Sequence, residues 1–374
     1  MAADRIAIIG LGEAGYEIHL PALSGIEGIS VVGACAEDQA HRSRAAKKFN
    51  VPLFTELASM LAGARPDVLI VATPPDTHAS ICLRAIEAGL HVICEKPFVS
   101  TLDEADSVID AARLAGRRVA LNHEFREMPI FRSVLAHVGP ESAEAAFFAQ
   151  AWQNIHLPPG GESGWRREMQ RRTLHEAGVH LVDYLLALFG EQPVAVWASM
   201  LDGGSEAGGT DALTVVALEF SGGRLGHLVQ NRLSKGEPQY FEVRAESRNA
   251  SYRASFGGRA RLTAGLFRST VPHLRLEYGA SGIAWRETGS ARKILARNPK
   301  NPRVAATRYL LEKTLAAFRS GGALPASAED GRAALEVIDA CYRAAATGRR
   351  TPVRQDAGAA SASDAKRPRA AREQ

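Results

Sequence analysis

The sequence predicts an α/β protein, with an N-terminal doubly wound parallel sheet followed by an α+β domain whose sheet is mainly antiparallel. Three observations predict it. An apolar run, Ile6-Ala7-Ile8-Ile9, breaks at Gly10-Leu11-Gly12-Glu13-Ala14-Gly15, and apolar runs of strand length then alternate with helix-prone segments as far as Asn122. Beyond about residue 125, strand-like segments follow one another directly through turn signals such as Ser221-Gly222-Gly223. With 374 residues the chain can build two cores.

The opening reads as strand, glycine turn, helix. Gly10 suits the tight turn, Gly12 a close backbone approach to a pyrophosphate, and Gly15 close packing of helix on strand, with Glu13 and Ala14 between them. Glycine turns of this spacing occur in many folds, and it is the position behind a strand that points to a nucleotide. Residues 29–35 form the second strand and 39–49 the next helix, Thr55 opens a short helix to Leu61, and residues 68–72 are apolar throughout, as a strand buried on both faces should be. Residues 91–94 and 119–122 continue the sheet, separated by a helix whose start, Thr101-Leu102-Asp103-Glu104, has the form of a capping box.

In the second half, residues 145–152, 194–200, 212–220 and 224–232 read as strands and 173–189 as one helix closed by Gly190. Residues 307–318 and 329–345 are amphipathic helices, the latter with Ser327 as N-cap. The last twenty residues are mostly Ala, Ser, Asp, Lys and Arg with little to bury, which predicts disorder. The predicted organisation is therefore 1–124, a nucleotide-binding domain; 125–354, an α+β domain; and 355–374, a disordered tail.

Net charge is +4 with both signs interspersed, which gives no case for a nucleic-acid partner. No eighteen apolar residues run together and residues 1–5 do not open a leader, so no membrane partner is expected and the cytoplasm is the expected location. Arg292, Lys293, Arg297, Lys300 and Arg303 form an acid-free stretch, read as a solvated loop in preference to a phosphate-binding surface. Cys35, Cys82, Cys94 and Cys341 show no C-x-x-C and no histidine at ligand spacing, so they read as reduced core residues and no metal is predicted.

Three stretches carry possible chemistry. After the second strand, Glu37 or Asp38 can hold the ribose hydroxyls of a dinucleotide and would repel a 2′-phosphate, which leans toward NAD over NADP; two solvated acids at a helix start are the alternative. Glu95-Lys96-Pro97 ends a strand at the sheet's carboxyl rim, where Lys96 can stabilise negative charge on a substrate oxygen, or else stand as a salt-bridged surface lysine. His175, Glu176, His180 and Asp183 share one helix, with Glu176–His180 at i,i+4 and His180–Asp183 at i,i+3. An imidazole beside a carboxylate can take a hydroxyl proton as an alcohol is oxidised, whereas a core histidine is the alternative. His175 and His180 are five apart and diverge around the helix, which argues against a metal.

Together these residues resemble the Gfo/Idh/MocA oxidoreductases, the family of glucose-fructose oxidoreductase and inositol dehydrogenase. The resemblance runs through Gly10 to Gly15, His19-Leu20-Pro21, Ala72-Thr73-Pro74-Pro75 with His78, Glu95-Lys96-Pro97, Asn122, Gly164-Trp165-Arg166, Glu176 to Asp183, and Ser327 to Gly331. It implies a Rossmann domain, a second sheet that forms homo-oligomer contacts, and hydride transfer between NAD or NADP and a sugar, polyol or related alcohol or ketone. By position it implies that Lys96 contacts the reacting oxygen, that His180 is the acid/base, and that Glu176 orients it or relays its proton. Thr73, Pro74, His78, Glu95, Asn122, Trp165 and Arg166 would line the cofactor.

Three positions depart from the family pattern. Ala36 stands where an aspartate is frequent, Glu176 is one methylene longer than the usual aspartate, and Arg171-Arg172-Thr173-Leu174-His175 replaces a glycine-rich approach. The last suggests an acidic group on the substrate. Two other functions use the same residues: an NAD-retaining glycoside hydrolase or lyase without net redox change, and a non-catalytic dinucleotide-binding sensor.

Overall fold

A computed structural model describes residues 3–155, 164–169, 171–203, 211–235, 240–256, 260–265, 273–278 and 282–353. The predicted disordered tail at 355–374 lies outside the described residues. Strands β1 (Asp4–Ile9), β2 (Ile29–Cys35), β3 (Leu53–Phe54), β4 (Val68–Val71), β5 (His91–Cys94) and β6 (Val119–Leu121) form a parallel sheet in the order β3-β2-β1-β4-β5-β6. Strand order reverses between β1 and β4, and the carboxyl ends flanking that point are where this architecture opens a crevice. All four residues of β4 are buried because helices cover both faces of the sheet.

The first helix begins as a π-turn over Ala14–His19 and continues as α1 (Leu20–Leu23). It is followed in order by α2 (Gln39–Ala46), α3 (Leu57–Ala64), α4 (His78–Glu87) and α5 (Leu102–Leu114). The predicted start of α3 at Thr55 is displaced, since the helix follows Glu56 in extended backbone and no side chain caps it. The capping box of α5 forms as predicted: Thr101 accepts from the Glu104 N–H while the Glu104 carboxylate accepts from the Thr101 N–H.

After α6 (Glu124–Glu127) and α7 (Pro129–Val138) the chain enters a second sheet. Its strands are β7 (Phe148–Asn154), β8 (Ala195–Leu201), β9 (Leu213–Glu219), β10 (Leu225–Asn231), β11 (Tyr240–Glu246), β12 (Ser251–Phe256), and, beyond a separate hairpin of β13 (Ala260–Gly265) and β14 (His273–Tyr278), β15 (Ile283–Thr288), β16 (Ala291–Arg297) and β17 (Thr351–Pro352). Their order is β16-β15-β12-β11-β7-β10-β9-β8-β17, antiparallel except where β7 meets β10. Alternate residues such as Ala151, Val216, Leu228 and Val243 face a core shared with Phe131 and Leu185. On the opposite face Trp152, Trp197, Val215 and Leu225 stay exposed.

The described residues form four further helices: α8 (Trp165–Glu168), α9 (Val179–Phe189), α10 (Pro302–Ser320) and α11 (Ala328–Thr347). The predicted helix over 173–189 is two elements, because Thr173–Ala177 is a π-turn, closed by Gly178 N–H on the Thr173 carbonyl, and α9 starts only at Val179. Leu311 and Leu315 of α10 share a core with Ile6 and Ile8, so the chain beyond residue 300 packs back onto the first sheet and a single cut after residue 124 does not describe the packing. The basic stretch is a loop only in part. Arg292, Lys293 and Arg297 belong to β16, whose cations blunt a sheet edge, Lys300 is exposed in the connection that follows, and Arg303 opens α10 on the cleft.

All four cysteines are buried and unpaired with one another by disulfide. No helix among the described residues is long and apolar enough to cross a membrane. Ser327 and Asp330 form a second capping box at the start of α11. Thr101→Ala and Ser327→Ala should each lower stability by about 1 kcal/mol, a loss that urea unfolding of the two variants will measure.

Candidate cofactor and substrate cleft

A cleft of about 1230 Å³ runs along the carboxyl rim of the first sheet and under the second domain. Drug-sized ligands typically occupy roughly 300–1,000 Å³, so it has room for a dinucleotide beside a small second ligand. At its head lies the glycine turn. A Cβ on Gly15 would sit 1.9 Å from the Gly10 carbonyl oxygen, and one on Gly10, at φ +96°, would sit 2.3 Å from that of Ala72. These two glycines are therefore demanded by the protein itself, which packs turn, helix and β4 backbone together. Gly12 differs: a Cβ there meets nothing within 4 Å, and the residue lines the cleft with Gly10, Glu13 and Ala14. Its open side is a fit for a group that approaches the backbone closely. Gly15 supports the turn from behind and does not line the cleft.

At the far end of the sheet the two carboxylates after β2 part company. Asp38 caps α2, accepting from the His41 and Ala40 N–H groups, which hold its carboxyl below the usual range. Glu37 is exposed on the cleft, and Arg42 braces its turn by donating to the Ala36 and Glu37 carbonyls, each at 2.7 Å. Both carboxylates line the cleft, and Glu37 is the one whose side chain accepts from no helix N–H among the described residues.

Thr73, Pro74, Glu95 and Lys96 line the middle of the cleft. His78, expected to line the cofactor, does not: it is fully buried, with Nε2 2.8 Å from the Thr73 carbonyl and Nδ1 3.0 Å from that of Pro97. It braces two cleft loops from behind. Asn122 likewise lies beneath the wall, donating to Glu95 Oε1 at 2.7 Å, where His19 Nε2 also donates at 2.7 Å. Burial alone would raise the Glu95 carboxyl; the hydrogen bond and charge of His19, the Lys96 charge and Asn122 instead hold it at about 2. Glu95 is therefore a fixed, buried anion under Lys96.

The second domain lowers three residues onto this wall: Glu176 from the π-turn, His180 from α9 and Arg166 from α8. Lys96 Nζ donates to the Glu176 carbonyl at 3.2 Å and lies 3.6 Å from its Oε1. Arg166 Nε donates to the same Oε1 at 3.3 Å, and Arg232 lies 3.9 Å from Oε2. Burial opposes ionisation of Glu176, but Lys96, Arg166 and Arg172 lower its carboxyl below the usual range.

The expected stripe of Glu176, His180 and Asp183 does not form. The π-turn adds a residue between Glu176 and α9, and Glu176 faces Lys96 and the arginines, with no hydrogen bond or ion pair to His180 among the described residues. Asp183 lies behind, 3.1 Å from Arg126 and 3.7 Å from His123, and burial, against the Arg126 charge, pushes its carboxyl up to about 7. His180 stacks on Phe125 with ring centres 4.0 Å apart, and its Nδ1 is sealed without a partner among the described residues. Burial, then the charges of Lys96, His123 and Arg303, lowers it well below the ordinary histidine range, so the ring is neutral at neutral pH.

Arg171 and Arg172 do not line the cleft. Arg171 reaches Asp339 at 3.5 Å, and Arg172 is buried behind the π-turn. The suggestion of an acidic substrate group is therefore not carried by these residues; the arginines on the cleft are Arg166, Arg232 and Arg303, with Arg84 toward the first domain. His175 is also buried away from it, its imidazole lowered to about 4 chiefly by burial. Asp211 was not anticipated: it accepts from the N–H groups of Arg172, Thr173 and Leu174 and from Tyr342, and so anchors the π-turn that carries Glu176. Its only signal in sequence is an acid before a strand. Trp165 lines the cleft beside Arg166, and Phe241 and Phe256 add apolar wall.

A parallel-sheet domain with a glycine turn, joined over its carboxyl rim by a second domain that supplies histidine and carboxylate neighbours to Lys96, has the architecture of a dinucleotide-binding protein. The comparisons with known proteins agree. The model of an oxidoreductase family with an NAD-binding Rossmann fold matches residues 5–123, and the GFO/IDH/MocA C-terminal domain model matches 144–250. The chain belongs to the Gfo/Idh/MocA family.

An uncharacterized oxidoreductase of Rhizobium meliloti, ORF334, is 27% identical over 350 residues, covering 92% of this chain and 97% of that protein. The D-apiose dehydrogenase of Paraburkholderia graminis is 28% identical over 222 residues, covering 58% and 57%. Several other curated relatives are likewise matched over only 53–55% of their own length. In fold, the chain is similar to an oxidoreductase from Agrobacterium radiobacter solved with NAD+, L-tartaric acid and magnesium, with a TM-score of 0.76, 16% identity, and coverage of 93% and 98%.

Two measurements test this geometry. Gly15→Ala should cost about 2 kcal/mol or more of stability by overpacking, whereas Gly12→Ala should leave the urea midpoint in place and weaken dinucleotide binding in titration calorimetry. Because the Glu95 carboxyl is depressed in the folded protein, the stability it contributes is complete above its unfolded value near 4.5 and is lost as pH falls toward about 2. Glu95→Gln should flatten the acid limb of the unfolding profile over that window.

Proposed function

We propose that this chain is an NAD-linked dehydrogenase or reductase acting on a CH–OH group of a sugar, polyol or related alcohol, or on the corresponding ketone. The observation that carries the reading is the juxtaposition of Lys96 and a neutral His180 on one cleft wall, above the sheet rim and next to an open glycine turn. The bound cofactor supplies the hydride acceptor or donor. Gly10, Gly12 and Ala14 hold its phosphates and Glu37 its ribose, with Thr73, Pro74, Trp165 and Arg166 along its length. Glu37 disfavours a 2′-phosphate, which supports NAD over NADP.

In the oxidation direction His180 takes the hydroxyl proton, a role open to it because its ring is uncharged. Lys96 donates to the same oxygen and stabilises the charge that develops there. Glu176 is a positioning residue whose carbonyl and carboxylate hold Lys96. Phe125 fixes the imidazole plane. The sugar dehydrogenase among the relatives supports the substrate class. The exposed Trp152, Trp197, Val215 and Leu225 support a homo-oligomer built on the outer face of the nine-stranded sheet. Four buried thiols accord with a cytoplasmic setting.

A panel of sugars, polyols and sugar acids with NAD and NADP, read by absorbance of the reduced nicotinamide, tests the whole reading. Release of a sugar without reduced nicotinamide would overturn it. Lys96→Met and His180→Ala should each lower kcat by roughly 10²-fold or more while dinucleotide affinity in calorimetry survives. Since His180 stays deprotonated below its ordinary value near 6.5, kcat for oxidation should hold as pH falls through that range.

A further inference from the structure

Arg303 is a cleft residue that no motif announced. It stands in the first turn of α10 and joins two carboxylates on different parts of the wall. Its Nε donates to Glu124 Oε1 at 3.2 Å, and its Nη1 lies 3.6 Å from Glu13 Oε1. Glu13 is the residue after Gly12, and its other oxygen lies 3.8 Å from Arg166 Nη2. One acidic side chain on the glycine turn is thus met by two guanidiniums, from α10 and α8.

The two ends of Arg303 differ. Glu124 is 1% exposed, its Oε2 has no partner among the described residues, and burial raises its carboxyl while Arg303 lowers it. That end is an anchor, which separation would leave as a lone buried acid. Glu13 is 60% exposed at the side chain and sits at ion-pair distance without a hydrogen bond to Arg303. That end is loose and exchangeable. A carboxylate beside the opening over Gly12 has the same sign as a pyrophosphate placed there, and planar guanidiniums match phosphate oxygens better than they match one mobile carboxylate.

We propose that Arg303, together with Arg166, binds the pyrophosphate of the dinucleotide over the glycine turn, and that Glu13 is a place-holder that keeps both guanidiniums there until the pyrophosphate takes them. This rests on the dinucleotide reading above. It assigns Glu13 a part opposite to its position in the motif: it competes with the ligand and does not bind it. Glu124 is a positioning residue acting through Arg303.

The test is titration calorimetry of the full chain with NAD, ADP-ribose and adenosine, the last lacking phosphate, with thermal melting as the control for folding. Arg303→Met should weaken NAD and ADP-ribose roughly tenfold or more and leave adenosine within about twofold. Arg303→Lys, which keeps the charge and the anchor to Glu124 but loses the fork, should fall between Met and wild type. Glu13→Gln should bind ADP-ribose more tightly than wild type at low salt, and the gain should shrink as salt rises. Unchanged ADP-ribose affinity in both Arg303 variants, an equal loss for adenosine, or weaker binding by Glu13→Gln would each overturn the assignment while leaving the oxidoreductase reading standing. Failure of the wild-type chain to bind NAD, NADP or ADP-ribose would overturn both.

Discussion

The cleft depends on the buried contact between Lys96 and Glu176. Lys96 belongs to the end of β5 and Glu176 to a π-turn of the second domain, and their side chains are only 11% and 9% exposed. Ions this far from water are stable only when each is held by further partners. The two sides meet that demand differently. Lys96 sits above the Glu95 anion, which His19 and Asn122 fix, while His78 pins the following turn through backbone carbonyls. Glu176 has Arg166 and Arg232 in addition to Lys96, and its turn hangs on Asp211. This contact joins the sheet rim to the helix bearing His180 within the cleft, alongside the packing of α11 against both α5 and α9.

The same charges set the protonation states. A wall carrying Lys96, Arg166 and Arg303 can keep carboxylates ionised in a buried place, and it makes an added positive charge on His180 unfavourable. Glu176 and Glu95 lie below their ordinary values although desolvation pushes acids up, whereas His180 lies well below its own because desolvation and then these charges act in the same direction. Asp183, three residues beyond His180, moves the other way because burial outweighs Arg126. Neighbours along one helix thus end in different electrostatic settings, decided by what packs against each.

Particular residues show where reading by spacing succeeds and where it fails. Thr101 and Ser327 were legible as caps because capping is local: the side chain and the N–H it serves are three residues apart. Gly10, Gly12 and Gly15 were legible as a turn for the same reason, yet only the packing separated Gly12, open to the cleft, from Gly10 and Gly15, closed by backbone. Glu176 misled because i,i+4 spacing assumes an unbroken α-helix, and one additional residue in a π-turn rotates the side chain off the stripe. Arg303 was hidden in a run of cations of which three stand on a sheet edge and one in an exposed connection, since charge counted along a chain carries no direction.

The sequence by itself determined the alternation of strand and helix, the two-sheet class, the glycine turn, and the candidacy of Lys96, Glu176 and His180, all of which follow from patterns that span a few residues. Tertiary structure alone decided that His78 and Asn122 brace the wall from behind, that Asp38 caps a helix and Glu37 does not, that α10 returns to the first sheet, and that Glu176 holds Lys96. The reason is physical: periodicity and capping are short-range and survive in one dimension, while burial and ion pairing depend on which distant segments exclude water from a side chain.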